Sequence, residues 1–228
     1  MSTLNSLRTR VQQFLLATGV TAWNAETIDE MIRQALAEYS QANPRQVETV
    51  LTCPAAGREI ALNALSELAT VLDVWWPYSS TVTPQKWPPN RVRGFRLDWD
   101  DGQPLLTLTG DAGDQPASGD EVRIWYTTPQ HLDGLDGAAG TTLPLVHESL
   151  VVIGAAALAA AARAALPSQG TSEAVSGQKW ADAGLAQFHS RLDSIRGQVA
   201  ARGPAFGQGW QLDDWENTGV TYPLPVHP

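Results

Sequence analysis

From Ser149 to Leu166 half of the residues are alanine, among Leu150, Val151, Val152, Ile153, Gly154, Leu158 and Arg163. Alanine is the best helix former and carries no side chain beyond Cβ. A helix built from this run lets its neighbours approach closely, so the run is expected to be a buried central helix beginning near His147. Glu148 would fall in its first turn, where the helix dipole favours an anion. The uninterrupted apolar stretch, Leu150 to Ala162, is short for a bilayer crossing. A second helix, Ser172 to Arg202, follows a break at Pro167 to Thr171. It carries Leu185, Phe188, Leu192, Ile195 and Val199 in steps of three and four, the seam of a packed bundle.

The first forty residues repeat this logic. Leu4, Leu7, Val11, Phe14 and Leu15 recur at helical spacing up to Gly19. Asn24 then reads as the N-cap of a helix with Glu26, Asp29 and Glu30 in its first turn. Its apolar stripe, Ile28, Met31, Ile32, Ala35, Leu36 and Tyr39, fits the i, i+3, i+4, i+7 template, and Asn43-Pro44 ends it.

Between the two helix pairs the period changes to two. Gln46 to Thr52 and Glu59 to Leu62 flank the turn Pro54-Ala55-Ala56-Gly57, and Val71 to Trp76 precedes a proline-rich loop with Trp87, Pro88 and Pro89. Phe95 to Trp99 and Leu105 to Leu108 flank Asp101-Gly102, a strong hairpin signal. In Glu121 to Tyr126, Val122, Ile124 and Tyr126 alternate with Glu121, Arg123 and Trp125. The expected fold is α+β. A four-helix bundle from residues 1–44 and 146–202 carries an inserted small antiparallel β-domain, residues 45–145, as a sheet or sandwich.

The last segment, residues 203–228, holds Phe206, Trp210, Trp215 and Tyr222 among glycines and prolines. It is too short to build a core, yet burying one large aromatic yields about 1.5–3 kcal/mol. It either folds back on its own domain or is an extended arm that docks elsewhere, and the arm is the preferred reading. Those four aromatics are its candidate partner-binding anchors.

Composition narrows the function. The chain has 228 residues, a net charge of −9, nine tryptophans and 43% hydrophobic residues. That describes a globular protein with a sizeable core and no basic surface for duplex DNA. Cys53 is the only cysteine, which excludes an intrachain disulfide and a cysteine-based zinc site. The N-terminus lacks the apolar core of a signal peptide, so a soluble protein made in a reducing cytoplasm is expected, with no membrane partner.

No phosphate loop, nucleophile elbow, dinucleotide fingerprint or HExxH helix is present. The histidines, His131, His147, His189 and His227, lie far apart, and His189 beside Phe188 reads as a helix-surface residue. The acidic cluster Asp98, Asp100, Asp101, Asp111 and Asp114 lacks the spacing of a calcium loop and reads as turn formers, as does Asp133-Gly134-Leu135-Asp136-Gly137. No catalytic residues, metal or cofactor are expected. Trp75-Trp76-Pro77-Tyr78 with Trp87 raises the alternative of a carbohydrate-binding module. Neighbouring strand residues face opposite ways, however, which separates Trp75 from Trp76.

The stretch Gly119-Asp120-Glu121-Val122-Arg123-Ile124-Trp125-Tyr126-Thr127, then His131-Leu132-Asp133-Gly134-Leu135-Asp136-Gly137, Thr142-Leu143-Pro144 and the alanine-rich helix resembles head–tail adaptor proteins of tailed bacteriophages. Leu72 to Tyr78 and the N-terminal helix pair ending at Ala35 to Ser40 do so too. The resemblance covers most of residues 5–200 and leaves residues 203–228 outside it. It implies a non-enzymatic virion component of the neck, docked as a dodecameric ring beneath the portal and extending the DNA channel towards the tail. The partners it implies are the portal, neighbouring adaptor subunits and the next tail or neck protein. DNA would pass the acidic lumen without specific binding.

Overall fold

Two hydrophobic cores, one among helices and one between sheets, organise the computed structural model, which describes residues 2–16, 23–81, 91–92, 94–109, 115–165 and 171–202. Helices α1 (Leu4–Leu16), α2 (Ala25–Ala42), α3 (Glu148–Ala164) and α4 (Thr171–Arg202) contribute to the first core. Strands β1 (Arg45–Thr52), β2 (Glu59–Ala61), β3 (Thr70–Tyr78), β4 (Phe95–Asp100), β5 (Gln103–Leu108) and β6 (Glu121–Thr128) form two antiparallel sheets, ordered β1-β6-β3 and β2-β5-β4. The chain is thus mixed α and β, with the strands lying between the two helix pairs in sequence.

Helix α3 packs against α1, α2 and α4, as its alanine content requires. Val151, Val152, Ala155, Ala156 and Ala159 are buried on it, and Phe188, Leu192 and Ile195 of α4 join them. Leu185, expected in the same seam, is only half-buried; Ala181 takes the next buried place on α4. Together with the 3-10 turn Leu145–His147 that precedes it, α3 makes a stretch long and apolar enough to cross a membrane by length and composition. That corrects the expectation that it is too short. Its buried face is nevertheless covered by the other three helices.

In α1, Leu7, Val11 and Leu15 are buried, whereas Phe14 is 45% exposed. At 3.6 residues per turn Phe14 lies about 20° beyond Leu7, at the margin of a stripe that narrows where α1 meets its neighbours. Helix α2 starts as expected: the Asn24 side chain accepts a hydrogen bond from the Glu26 N–H at 3.0 Å, and Asn43 caps its end. Ile28, Ile32, Ala35, Leu36 and Tyr39 are buried, and Met31 packs half-buried against them.

The Asp101-Gly102 hairpin forms as read, both residues having the positive φ (45° and 75°) that a tight two-residue loop demands. The neighbouring strands β1 and β2 do not pair with each other. β1 pairs with β6 in one sheet and β2 with β5 in the other, and Ile60, Leu106, Val74, Val122 and Ile124 close one core between them. Irregular register in β3, between Val71 and Asp73 and again between Trp75 and Tyr78, re-aims its side chains.

The stretch after β6 leaves the sheets. Leu132, Leu135 and Leu143 pack in the helical core. Asp133 accepts the Leu4 N–H at 2.9 Å, the Ser40 hydroxyl accepts the Gln130 N–H at 3.0 Å, and Arg33 donates to Asp136 at 2.7 Å. Asp133 to Gly137 is a pair of consecutive turns with positive φ at Gly134, Asp136 and Gly137, as the sequence indicates.

Candidate functional site

Each described histidine has its own separate partner. His131 Nε2 lies 2.8 Å from Glu67, His189 Nε2 lies 3.1 Å from Glu38, and His147 Nδ1 lies 2.6 Å from the Tyr39 hydroxyl, which also accepts from Asn43. His189 sits exposed on α4 as expected, while His147 is the last residue of the 3-10 turn rather than part of α3. Burial pushes the Tyr39 phenol up, and Asn43 opposes it. Burial and the nearby Asp120 push the Cys53 thiol up, away from the reactive thiolate.

Among the described residues, no group of three or more His, Cys, Asp or Glu is placed to hold a metal ion. Asp98 is paired with Arg96 at 2.8 Å, and Asp100 and Asp101 belong to the hairpin; Asp111 and Asp114 lie outside the described residues, as do Trp87 and His227.

The outer face of the β1-β6-β3 sheet carries an aromatic and cationic cluster. Arg123 on β6 lies over the Trp125 ring at 4.7 Å, Tyr78 at 5.3 Å and Trp75 at 5.4 Å. Glu48 on β1 accepts from the same guanidinium at 2.6 Å. Trp75 and Trp125 pack with ring centroids 4.2 Å apart and planes tilted by 51°. Beside them the buried Asp73 carboxylate accepts from its neighbour Val74 N–H, the Trp75 indole and Arg91. This cluster braces the sheet. Trp75 is 4% exposed, and Trp76, on the opposite face, packs on the β core and donates to Asp120. The pair therefore offers no open platform for a sugar ring. Alternation within β6 had placed Trp125 on a polar face; packing on Trp75 buries it there instead.

A cleft of about 390 Å³ lies between α2 and the segment that follows β6, lined by Arg33, Ser40, Glu67, Gln130, His131 and Asp136 among others. Its polar groups are matched to one another: Arg33 also binds Glu30, and the guanidinium beside Asp136 holds that carboxyl below the usual carboxylate range. Such a seam ties α2 to the segment after β6.

A second concavity is mixed, with apolar residues among polar ones such as Gln187, Ser194 and Gln198. Leu145 and Val146, in the turn before α3, are 76% and 78% exposed. Val146 rims a groove of about 320 Å³ between α3 and α4 whose floor includes Leu150, Ile153 and Ile195. Arg191 lines the same groove and makes no ion pair in the described residues. Periodicity does not reveal this feature, because Leu145 and Val146 precede the expected helix start near His147 and carry no pattern of their own. The expected anchors Phe206, Trp210, Trp215 and Tyr222 lie outside the described residues.

No family model matches the chain, and no curated protein matches it. Among solved structures it is similar to a chain in the neck of an empty GTA particle, with 18% identity over 78% of this chain and 87% of that chain and a TM-score of 0.30. It is also similar to a chain in the virion of a native gene transfer agent particle, with 17% identity over 74% of this chain and 80% of that chain and a TM-score of 0.29. Likeness at this level does not by itself assign a fold or a role.

Proposed function

We propose that this chain is a structural neck component of a phage-type virion, a head–tail adaptor that joins a dodecameric ring beneath the portal and extends the DNA channel. In this reading residues 1–44 and 146–202 make a four-helix bundle, residues 45–145 the inserted β-domain, and residues 203–228 an arm. The observation that carries it is where the family-like segments fall. Gly119 to Thr127 supplies β6, the middle strand of its sheet, and His131 to Gly137 bolts that strand to α1 and α2. Thr142 to Pro144 then leads into α3, which packs against the other three helices. The likeness thus coincides with the residues that join strands to helices, which is the pattern of a shared architecture rather than of a shared active site.

An acidic chain suits a lumen that DNA passes by like-charge repulsion. The arm's Phe206, Trp210, Trp215 and Tyr222 are proposed as anchors on portal, neighbouring subunit or the next neck or tail protein, because buried aromatics dominate interface energetics. The test is sedimentation and particle imaging of the chain mixed with its cognate portal rings. A ring of the chain on one face of the portal is the expected result, and the chain lacking residues 203–228 should not be stably retained. Failure of the full chain to associate with portal rings refutes the adaptor reading.

A further inference from the structure

We infer that the α3–α4 groove rimmed by Val146 is the acceptor for the segment Trp210 to Glu216 of a second copy of this chain. Three observations carry it. The groove sets Leu150, Ile153 and Ile195 among polar side chains, next to two apolar residues left in water, Leu145 and Val146. Side chains this apolar gain most from an aromatic partner, which buries about 150–250 Å². The groove also presents the cation of Arg191, which makes no ion pair among the described residues. The segment supplies the complement: Trp210, Leu212 and Trp215 interleaved with Asp213, Asp214 and Glu216, in a stretch of residues 203–228 that holds no Lys or Arg.

Position agrees. Gln198, at the groove's edge, precedes Arg202 by four residues, or about 6 Å along the helix. From Gly203 to Trp215 an extended chain spans at most about 43 Å, enough to reach a copy packed alongside. Occupancy by the neighbour rests on the ring reading above. A donor segment and an acceptor groove at separate places on one chain make a heterologous, head-to-tail contact, the kind that closes rings.

The experiment titrates a fluorescently labelled peptide of residues 203–228 against the full chain and follows its anisotropy. Saturable binding is expected, weakened about ten-fold or more by Val146→Asp or by Arg191→Glu in the protein and by Trp215→Ala in the peptide, each such loss corresponding to about 1.4 kcal/mol. Both protein positions are exposed, so thermal unfolding should be unchanged in both variants, and either one suffices. Absence of binding overturns the inference, since it means either no affinity or a groove already filled by the chain's own segment. Binding indifferent to both groove variants overturns it equally. No portal is present, so a negative result leaves the adaptor reading standing, whereas failure to associate with portal rings would not explain a lost peptide site.

Discussion

The ring of Phe188 on α4 lies so close to Gly154 on α3 that a Cβ at position 154 would stand 2.7 Å from the ring. Phe188 is fully buried, so its ring has no room to swing away. Alanine favours a helix over glycine by about 1 kcal/mol, but overpacking costs about 1–3 kcal/mol. The Cβ meets a buried ring at 2.7 Å, so Gly154→Ala should fall on the destabilising side of that balance, losing up to about 2 kcal/mol in chemical denaturation. Adding Phe188→Leu should recover part of that loss, a non-additivity that marks direct contact. A Gly154→Ala protein as stable as its parent would show that the two helices can separate freely.

The same contact continues one turn on. A Cβ at Gly184 of α4 would meet the Ala157 Cβ at 2.8 Å. Ala157→Leu should push α3 and α4 apart and cost at least about 1–3 kcal/mol, with Ala160→Leu close behind. At this chain length that is a fall of several degrees, roughly 2–4 °C for each kcal/mol, in the melting temperature. Unchanged thermal unfolding in both variants would place α3 on the surface.

Arg10 and Glu148 offer a contrast between buried and exposed pairs. Glu148 is 3% exposed at the start of α3 and meets Arg10 at 3.0 Å. Arg10→Met strands a buried carboxylate and should cost about 2–3 kcal/mol, since breaking a buried pair leaves an uncompensated charge. Arg196→Met removes an exposed pair with Asp193 and should cost less than about 0.5 kcal/mol. Equal effects on urea midpoints would refute the role given to Glu148.

Asp73 should prove equally sensitive. Its carboxylate accepts from Val74 N–H, the Trp75 indole and Arg91 within the braced sheet face. Asp73→Ala leaves all three donors without their acceptor at once and should cost about 2–3 kcal/mol, with altered near-ultraviolet dichroism as the tryptophan pair loosens. A variant with native stability and spectrum would contradict this.

The Arg33–Asp136 pair sets a pH dependence. Hydrogen bonding to Arg33 holds the Asp136 carboxyl below its usual value. The folded state therefore binds this proton less readily than the unfolded chain. The stabilisation is complete above about pH 4, the ordinary aspartate range, and is lost as pH falls through the lower folded value. Both partners are partly exposed, so the effect stays within about 1 kcal/mol. Asp136→Asn keeps a residue tolerant of the left-handed backbone found there. The stability gap between the two proteins should shrink as pH drops below about 4, and a gap constant from pH 6 to pH 2 would refute the pairing.

Local chemistry was enough to read most elements. Asn24 announces the start of α2, Asp101-Gly102 the β4–β5 hairpin, and the alanine run the central α3, because each signal is complete within a few residues of sequence. Alternation in Glu121 to Tyr126 likewise marked a strand, but not that β6 would stand between β1 and β3, nor that β1 and β2 would part into different sheets. The same period-two pattern satisfies many strand orders, and the choice among them is made by side chains meeting across long separations. Burial was decided in the same way: Trp125 is hidden because Trp75 lands on it, Glu148 because Arg10, far away in the chain, neutralises it, and Leu132, Leu135 and Leu143 because the helices are nearer than the sheets. Leu145 and Val146 show the converse. Their apolar character was plain in the sequence, but only the packing of α3 against α4 left them uncovered beside a groove, since exposure depends on which surfaces the rest of the chain reaches.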